Sequence, residues 1–207
     1  MQRLFFGLSV DPVVGQSLIR AARRALGAEL SEALYGEEVL HLTLCFLGSF
    51  PRDRVKSLVQ SARDEFVGLW APELLLGGEG DAFPDRGTPR TLHTAVEEVG
   101  DATGRLGTIR NRTMQVAMSH GWRASQAERA RPFRPHVTLA RLSGRPDSPI
   151  PEDSGAAAFA DLDDFWDLGA ERRWLPVDIT LYESLGRSED GERYRQLAAW
   201  PLAVRPG

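Results

Sequence analysis

Hydrophobic positions switch along the chain between the strand period of two and the helix period of 3.6, and the switches lay out its elements. Arg3 to Ser9 is a short apolar run that predicts a first strand. Asp11-Pro12 then supplies a helix start, an N-cap followed by proline at the first helical position, and Val13, Val14, Leu18, Ile19, Ala22, Ala25 and Leu26 carry helical spacing. A strand is predicted from Val39 to Leu47, a helix after Pro51 with Val55, Leu58, Val59, Ala62 and Phe66 on one side, and a short strand from Glu73 to Leu76. Gly77 to Pro89, rich in Gly and Pro, predicts the connection between two halves. The second half restarts with a strand, Arg90 to Val99, and a helix from Asp101 to Met118 that Gly104 and Gly107 weaken. A strand from His136 to Leu142 and a loop from Ser143 to Gly155 follow. Leu175 to Ser184 and Tyr194 to Val204 predict closing strands joined by a turn over Gly186 to Gly191.

Each half therefore reads strand, helix, strand, and the last strand of each begins with one string. His41-Leu42-Thr43-Leu44 and His136-Val137-Thr138-Leu139 share the pattern His, aliphatic, Thr, Leu in a chain with four histidines in all. Successive strand side chains point to opposite faces, so each His shares a face with its Thr while the aliphatic residue anchors the other. One such string would more often be structural. Two, in equivalent places of two similar halves, predict one shared site in a single bilobed domain over 1–207, with pseudo-repeat halves at roughly 1–80 and 90–185 and closing strands to 204.

Composition narrows the function classes. The chain has 207 residues, 42% of them hydrophobic, enough for a sizeable core. Its start passes directly into strand-like residues and no apolar run approaches membrane length, so a cytoplasmic location without a membrane partner is expected; the chain is also expected to be a monomer, on no signal in the sequence itself. The single cysteine, Cys45, excludes an intramolecular disulfide and a Cys-rich zinc site. It falls in phase with His41 and Thr43, but nothing around it resembles an activated thiol, and a small buried residue is the better reading. A net charge of −4 argues against coating nucleic acid nonspecifically. Locally the sign reverses: Arg123, Arg129, Arg131, Arg134, Arg141 and Arg145 surround the second motif against only Glu128.

Two imidazoles and two hydroxyls converging on one cleft are the equipment for metal-free acid-base chemistry at a phosphate. Opening a cyclic phosphodiester needs a base for water and an acid for the departing ribose oxygen, and histidine's pKa suits both. Thr43 and Thr138 would donate to the phosphate oxygens, together with a guanidinium. By parity Arg134 shares a face with His136, and Arg141 falls on the other face unless the strand twists or ends first. Of the remaining histidines, His93 is read as lining the cleft and His120, beside Gly121, as exposed. No H-x-H, H-E-x-x-H or cysteine-pair spacing is present, so no metal and no cofactor are expected. Asp161, Asp163, Asp164 and Asp167 lack a calcium-loop pattern and read as a solvated segment, and Gly77-Gly78-Glu79-Gly80 reads as turn.

These residues resemble the two-histidine phosphoesterase superfamily, and within it the bacterial and archaeal RNA 2′,3′-cyclic phosphodiesterases, or LigT-like 2′-5′ RNA ligases. Arg3-Leu4-Phe5-Phe6 is similar to the family's opening strand, Leu40 to Gly48 to its first motif and Arg131 to Arg141 to its second. Thr180 to Ser184, Tyr194 and Trp200-Pro201-Leu202 are similar to its C-terminal strands. The resemblance implies a bilobed α+β fold, two antiparallel sheets lining a central groove with helices outside. It implies His41 as proton donor, His136 as proton acceptor, and a phosphate contact for Arg141, against simple parity. The implied substrates are RNA with 2′,3′-cyclic phosphate ends or small cyclic nucleotides, and the implied product is a 2′-phosphomonoester. Ligation by the reverse reaction and a catalytically silent RNA- or nucleotide-binding module are the alternatives. The chain departs from the family at His93, often tryptophan there, and at Tyr35-Gly36-Glu37-Glu38, often an aromatic-led segment.

Overall fold

The computed structural model describes residues 1–26, 28–84, 90–101, 103–126, 132–141, 172–186 and 193–204. Arg129, Arg131, Arg145, the Asp161–Asp167 cluster, the 143–155 loop and most of the 186–191 turn lie outside the described residues.

The chain opens with β1 (Gln2–Ser9), whose Leu4, Phe6 and Leu8 are fully buried. Asp11 ends the turn that follows by accepting from the Val13 and Val14 amides at 2.9 and 3.3 Å, starting α1 (Pro12–Ala25) where the N-cap and proline predict. A short helix, α2 (Ala28–Ala33), and a 3₁₀ turn at Glu37–Val39 lead to β2 (His41–Phe50), so the strand predicted from Val39 begins two residues later. Then come α3 (Arg52–Glu65), β3 (Glu73–Phe83), β4 (Thr91–Val99), α4 (Arg105–Ser119), β5 (His136–Arg141), β6 (Arg173–Trp174), β7 (Asp178–Ser184) and β8 (Tyr194–Pro201). Gly104, feared as a helix breaker, sits at the N-cap of α4 with φ of 94°, a left-handed conformation that glycine adopts without cost.

The Gly-rich stretch after Leu76 corrects one expectation. It is not the linker between halves: β3 continues through a bulged step between Leu76 and Gly80 and keeps pairing with β4 as far as Phe83 with Thr91. Glycine here marks an irregularity in a strand rather than its end.

All ladders are antiparallel, and the strands run in the order β6-β3-β4-β5-β2-β1-β7-β8. The middle of this order is its weakest seam: β2 meets β5 at one register pair, Leu42 with Val137. The eight strands form one antiparallel sheet, pinched to a single register pair where the two motif strands touch, so that it divides into two four-stranded lobes: α+β and bilobed, as the resemblance implies. One lobe is β2-β1-β7-β8 and the other β5-β4-β3-β6, so β3 pairs away from the half of the chain that precedes it and the closing strands return to β1. Helices cover one side of the sheets. Val14, Leu18, Ile19 and Ala22 of α1, Leu58 and Ala62 of α3, and Leu106, Ile109 and Val116 of α4 are buried with Leu4, Phe6, Leu8, Leu42, Val137 and Leu139 in one core. The opposite side of the sheets carries the histidines.

Candidate active site

Residues paired across antiparallel strands share a face, so the ladders identify the cleft wall without reference to any ligand. On the first lobe Gly7 pairs with Thr43 and Ser9 with His41, while Phe5 pairs with Tyr182. On the second, Thr138 pairs with His93, His136 with Ala95, and Phe83 with Thr91. The Leu42–Val137 register sets His41 toward Thr138 and Thr43 toward His136, so each motif's histidine faces the other's threonine.

Both imidazoles are held alike. His41 Nδ1 donates to the Val39 carbonyl and His136 Nδ1 to the Arg134 carbonyl, each at 2.8 Å and each two residues back. A carbonyl only accepts, so Nδ1 carries the proton and Nε2 is left to face the cleft. Their surroundings differ. His41 is buried at 9% exposure, stacked on Phe5 with centroids 4.7 Å apart and touched edge-on by Tyr194 at 4.9 Å. Burial pushes its pKa down to about 4, and the charges of His136 and Arg141 act in the same direction against the opposing Val39 carbonyl. His136 is half-buried and meets Phe83 and His93 edge-on, at 5.1 and 5.3 Å. Gly7 lies under this site for a steric reason: a Cβ there would come within 3.1 Å of the Leu42 carbonyl and 3.6 Å of the His41 ring.

A bulge sets the face on which Arg141 lies. Along β5 and β4, Ala140 pairs with Leu92 but Thr138 pairs with His93, so Leu139 is an extra residue with no partner on β4. The extra residue inverts the alternation beyond it. Arg141, opposite Thr91, consequently returns to the face of His93, Thr138 and His136. Its charge acts on both His41 and Tyr35, which places it beside the first-motif histidine as well. Arg134 precedes the strand; its side chain is exposed and its backbone carbonyl is what holds His136.

The same bulge occurs in the first motif. Thr43 pairs with Gly7 and Cys45 with Phe6, leaving Leu44 extra. Both motif leucines are therefore bulged residues, buried at 3% and 0%. Cys45, in phase with His41 by simple alternation, is turned to the core and is buried, in agreement with its bland reading.

The chain is similar to known proteins in sequence and in fold. No family model matches the chain. Curated relatives named RNA 2′,3′-cyclic phosphodiesterase include one from Bacillus subtilis (strain 168), 34% identical over 101 residues, 49% of this chain and 50% of that protein. Another, from Geobacillus stearothermophilus, is 28% identical over 171 residues, 82% of this chain and 48% of that protein. The chain thus spans about half the length of these two relatives. Among solved structures, E. coli LigT in apo form superposes with a TM-score of 0.66 at 23% identity, covering 97% of each chain, and LigT complexed with 3′-AMP gives 0.65 at 24%, covering 97% of this chain and 98% of that one. By fold, this chain is similar to LigT. By sequence it is a relative of the RNA 2′,3′-cyclic phosphodiesterases.

The cleft also contains groups that the motif strings did not name. His93 does line it, at 5% exposure, lying flat on Phe83 with centroids 3.9 Å apart and 5° between planes. Burial, then the His136 charge, push its pKa down to about 4, against Asp81 and the Thr91 carbonyl, and its Nδ1 makes no well-formed hydrogen bond. Tyr182 and Tyr194 carry only a strand resemblance in the sequence; their ring contacts with His41 come from pairing across β1, β7 and β8, separated by more than a hundred residues of chain. His120 departs from its exposed reading. Its ring nitrogens bond the Val116 carbonyl at 3.0 Å and the Ser61 hydroxyl at 3.4 Å, and it ties α4 to α3 outside the cleft. Among the described residues no group of three or more His, Cys, Asp or Glu has metal-binding geometry, and no helix is long and apolar enough to cross a membrane.

Proposed function

We propose that this protein hydrolyses RNA 2′,3′-cyclic phosphodiester ends to 2′-phosphomonoesters by metal-independent two-histidine acid-base catalysis. The observation that carries the proposal is the seam itself: two imidazoles anchored identically through Nδ1, each with Nε2 turned to the cleft and each facing a threonine of the other motif. Relatives bearing the name RNA 2′,3′-cyclic phosphodiesterase and a LigT crystal complex with 3′-AMP support the substrate class.

In this scheme His136 Nε2 accepts a proton from water as its oxygen attacks phosphorus. The P–O3′ bond breaks opposite the attack, and the ribose 3′-oxygen takes a proton from His41 Nε2. Thr43, Thr138 and Arg141 donate to the equatorial phosphate oxygens, where charge concentrates. His41 must be protonated to act as the acid, whereas burial holds it neutral in the empty cleft at ordinary pH. The anionic phosphate offsets that burial, so His41 takes up its proton together with the substrate.

The test is hydrolysis of a cyclic-ended oligonucleotide in excess EDTA by the wild type, His41→Ala and His136→Ala. Each variant should lose on the order of 10²–10⁴-fold in turnover, with the 2′-phosphomonoester as wild-type product. Full turnover in either variant, or none by the wild type in EDTA, refutes the scheme.

A further inference from the structure

Beyond the Leu42–Val137 contact, β2 turns away from β5 and leaves the edge of β5 open. Residues ahead of the 3₁₀ turn close it: Leu34 bridges Ala140, and the Tyr35 amide donates to the carbonyl of the bulged Leu139 at 2.8 Å. Tyr35 is thereby buried at 3% exposure beside the site. Its hydroxyl lies next to that of Tyr194, the residue whose ring touches His41, yet it makes no well-formed hydrogen bond.

Two guanidinium groups converge on this buried tyrosine. Arg193, just ahead of β8, sits over the Tyr35 ring with Cζ 4.6 Å from the centroid, and Arg141 acts on the same hydroxyl from β5. Among the described residues neither arginine has a carboxylate partner, whereas Arg112, Arg173 and Arg195 each do. Two cations with no carboxylate partner among the described residues, set around one neutral group, repel each other, an arrangement that a bound anion relieves. One phosphate at the His41–His136 seam uses Arg141. Arg193, held farther out at the exposed edge of the first lobe, is positioned for a second.

We infer that Arg193 and Tyr35 form a second phosphate subsite that receives the 5′-phosphate of the nucleotide carrying the cyclic end. This rests on the phosphodiesterase reading and sharpens it: the preferred substrate is an RNA end, in which that 5′-phosphate links to the next nucleotide, over a bare nucleoside 2′,3′-cyclic phosphate, which has none. The guanidinium fork suits a phosphodiester oxygen pair, and the Tyr35 face holds the fork in place.

The experiment compares one nucleoside 2′,3′-cyclic phosphate with and without a 5′-phosphate, using wild type, Arg193→Gln and Arg193→Lys. One charge-assisted contact corresponds to about a tenfold preference in kcat/KM for the 5′-phosphorylated substrate. The ratio should fall to about one in Arg193→Gln, fall partway in Arg193→Lys, and shrink in the wild type as salt is raised. A wild-type ratio of one, or a ratio that survives Arg193→Gln while both rates drop together, overturns the subsite and leaves Arg193 as a cover over Tyr35. If the wild type hydrolyses neither substrate, the phosphodiesterase reading fails by itself. Calorimetry with a nucleoside 2′-phosphate and the matching 2′,5′-bisphosphate then decides the subsite: tighter bisphosphate binding that Arg193→Gln abolishes supports it, and equal binding overturns it.

Discussion

The two walls of the cleft start from one motif and one local geometry, and they end as different environments. Each presents a histidine anchored to the carbonyl two residues back, a threonine, and a buried bulged leucine. Five residues past the histidine they part: the second wall has Arg141 and the first has Phe46, exposed with Arg3 over its ring. The first wall packs three rings, Phe5, Tyr182 and Tyr194, around His41; the second leaves His136 half-buried against Phe83 and His93. Duplication thus supplies paired imidazoles, and divergence of the neighbours gives each a different burial and a different set of ring contacts.

Replacing either histidine with alanine should have the largest effect, and a loss confined to one wall would break the idea that both act on one phosphate. Next comes the arginine that only the second wall carries. Arg141→Gln should lower kcat by about 10²-fold, the scale of removing one donor to a developing oxyanion, and Arg134→Gln should cost far less; the reverse order in steady-state rates would mean that the bulge does not aim Arg141 into the cleft.

Stability should separate the walls differently. Phe5, at 3% exposure, packs among Tyr182, Tyr194 and His41, so Phe5→Ala should cost about 3–5 kcal/mol. Phe83 is half-buried, and Phe83→Ala should cost less in chemical denaturation while lowering kcat through a misplaced His136. Equal destabilisation by the two would erase the contrast.

The smallest effect is on pH. His41 and His93 both have folded-state pKa values lowered to about 4 from 6.5. As pH falls below about 6.5 the unfolded chain binds protons that the folded chain does not, so the stability these neutral histidines contribute is present above that pH and is lost progressively down to about pH 4. Melting temperature should fall across this window by several degrees, roughly, and His41→Gln should flatten part of the fall. Saturating inorganic phosphate should also lessen it, since an anion favours the charged imidazole. A wild-type melting temperature independent of pH between 7 and 4.5 would contradict the buried, neutral state of these rings.

Much of this was legible in the chain because it is local. The Asp11-Pro12 helix start, the alternation that puts His and Thr on one face, and the strand-helix-strand order of each half depend on residues within a few positions of one another, and the structure agrees with each. Expectations failed where pairing with a distant strand decides. Gly77 to Gly80 carries the composition of a turn, yet β4 continues to pair beyond it. Arg141 and Cys45 were phased by unbroken alternation, which a single unpaired leucine in each strand inverts. His120 looked exposed beside a glycine until α3 was packed against it.

The sequence by itself determined which groups are candidates for the chemistry and that there are two sets of them, because side-chain type and strand period are written in four consecutive residues. Only the tertiary structure decided which arginine shares a face with the histidines, which histidine is enclosed by rings, and that Arg193 lies over Tyr35. Leucine carries no signature of a bulge, as glycine would for a left-handed turn; the bulge exists only in the register between two strands. Likewise an aromatic box assembled from β1, β7 and β8 forms when residues nearly two hundred positions apart are brought onto one face, and no local pattern records that meeting.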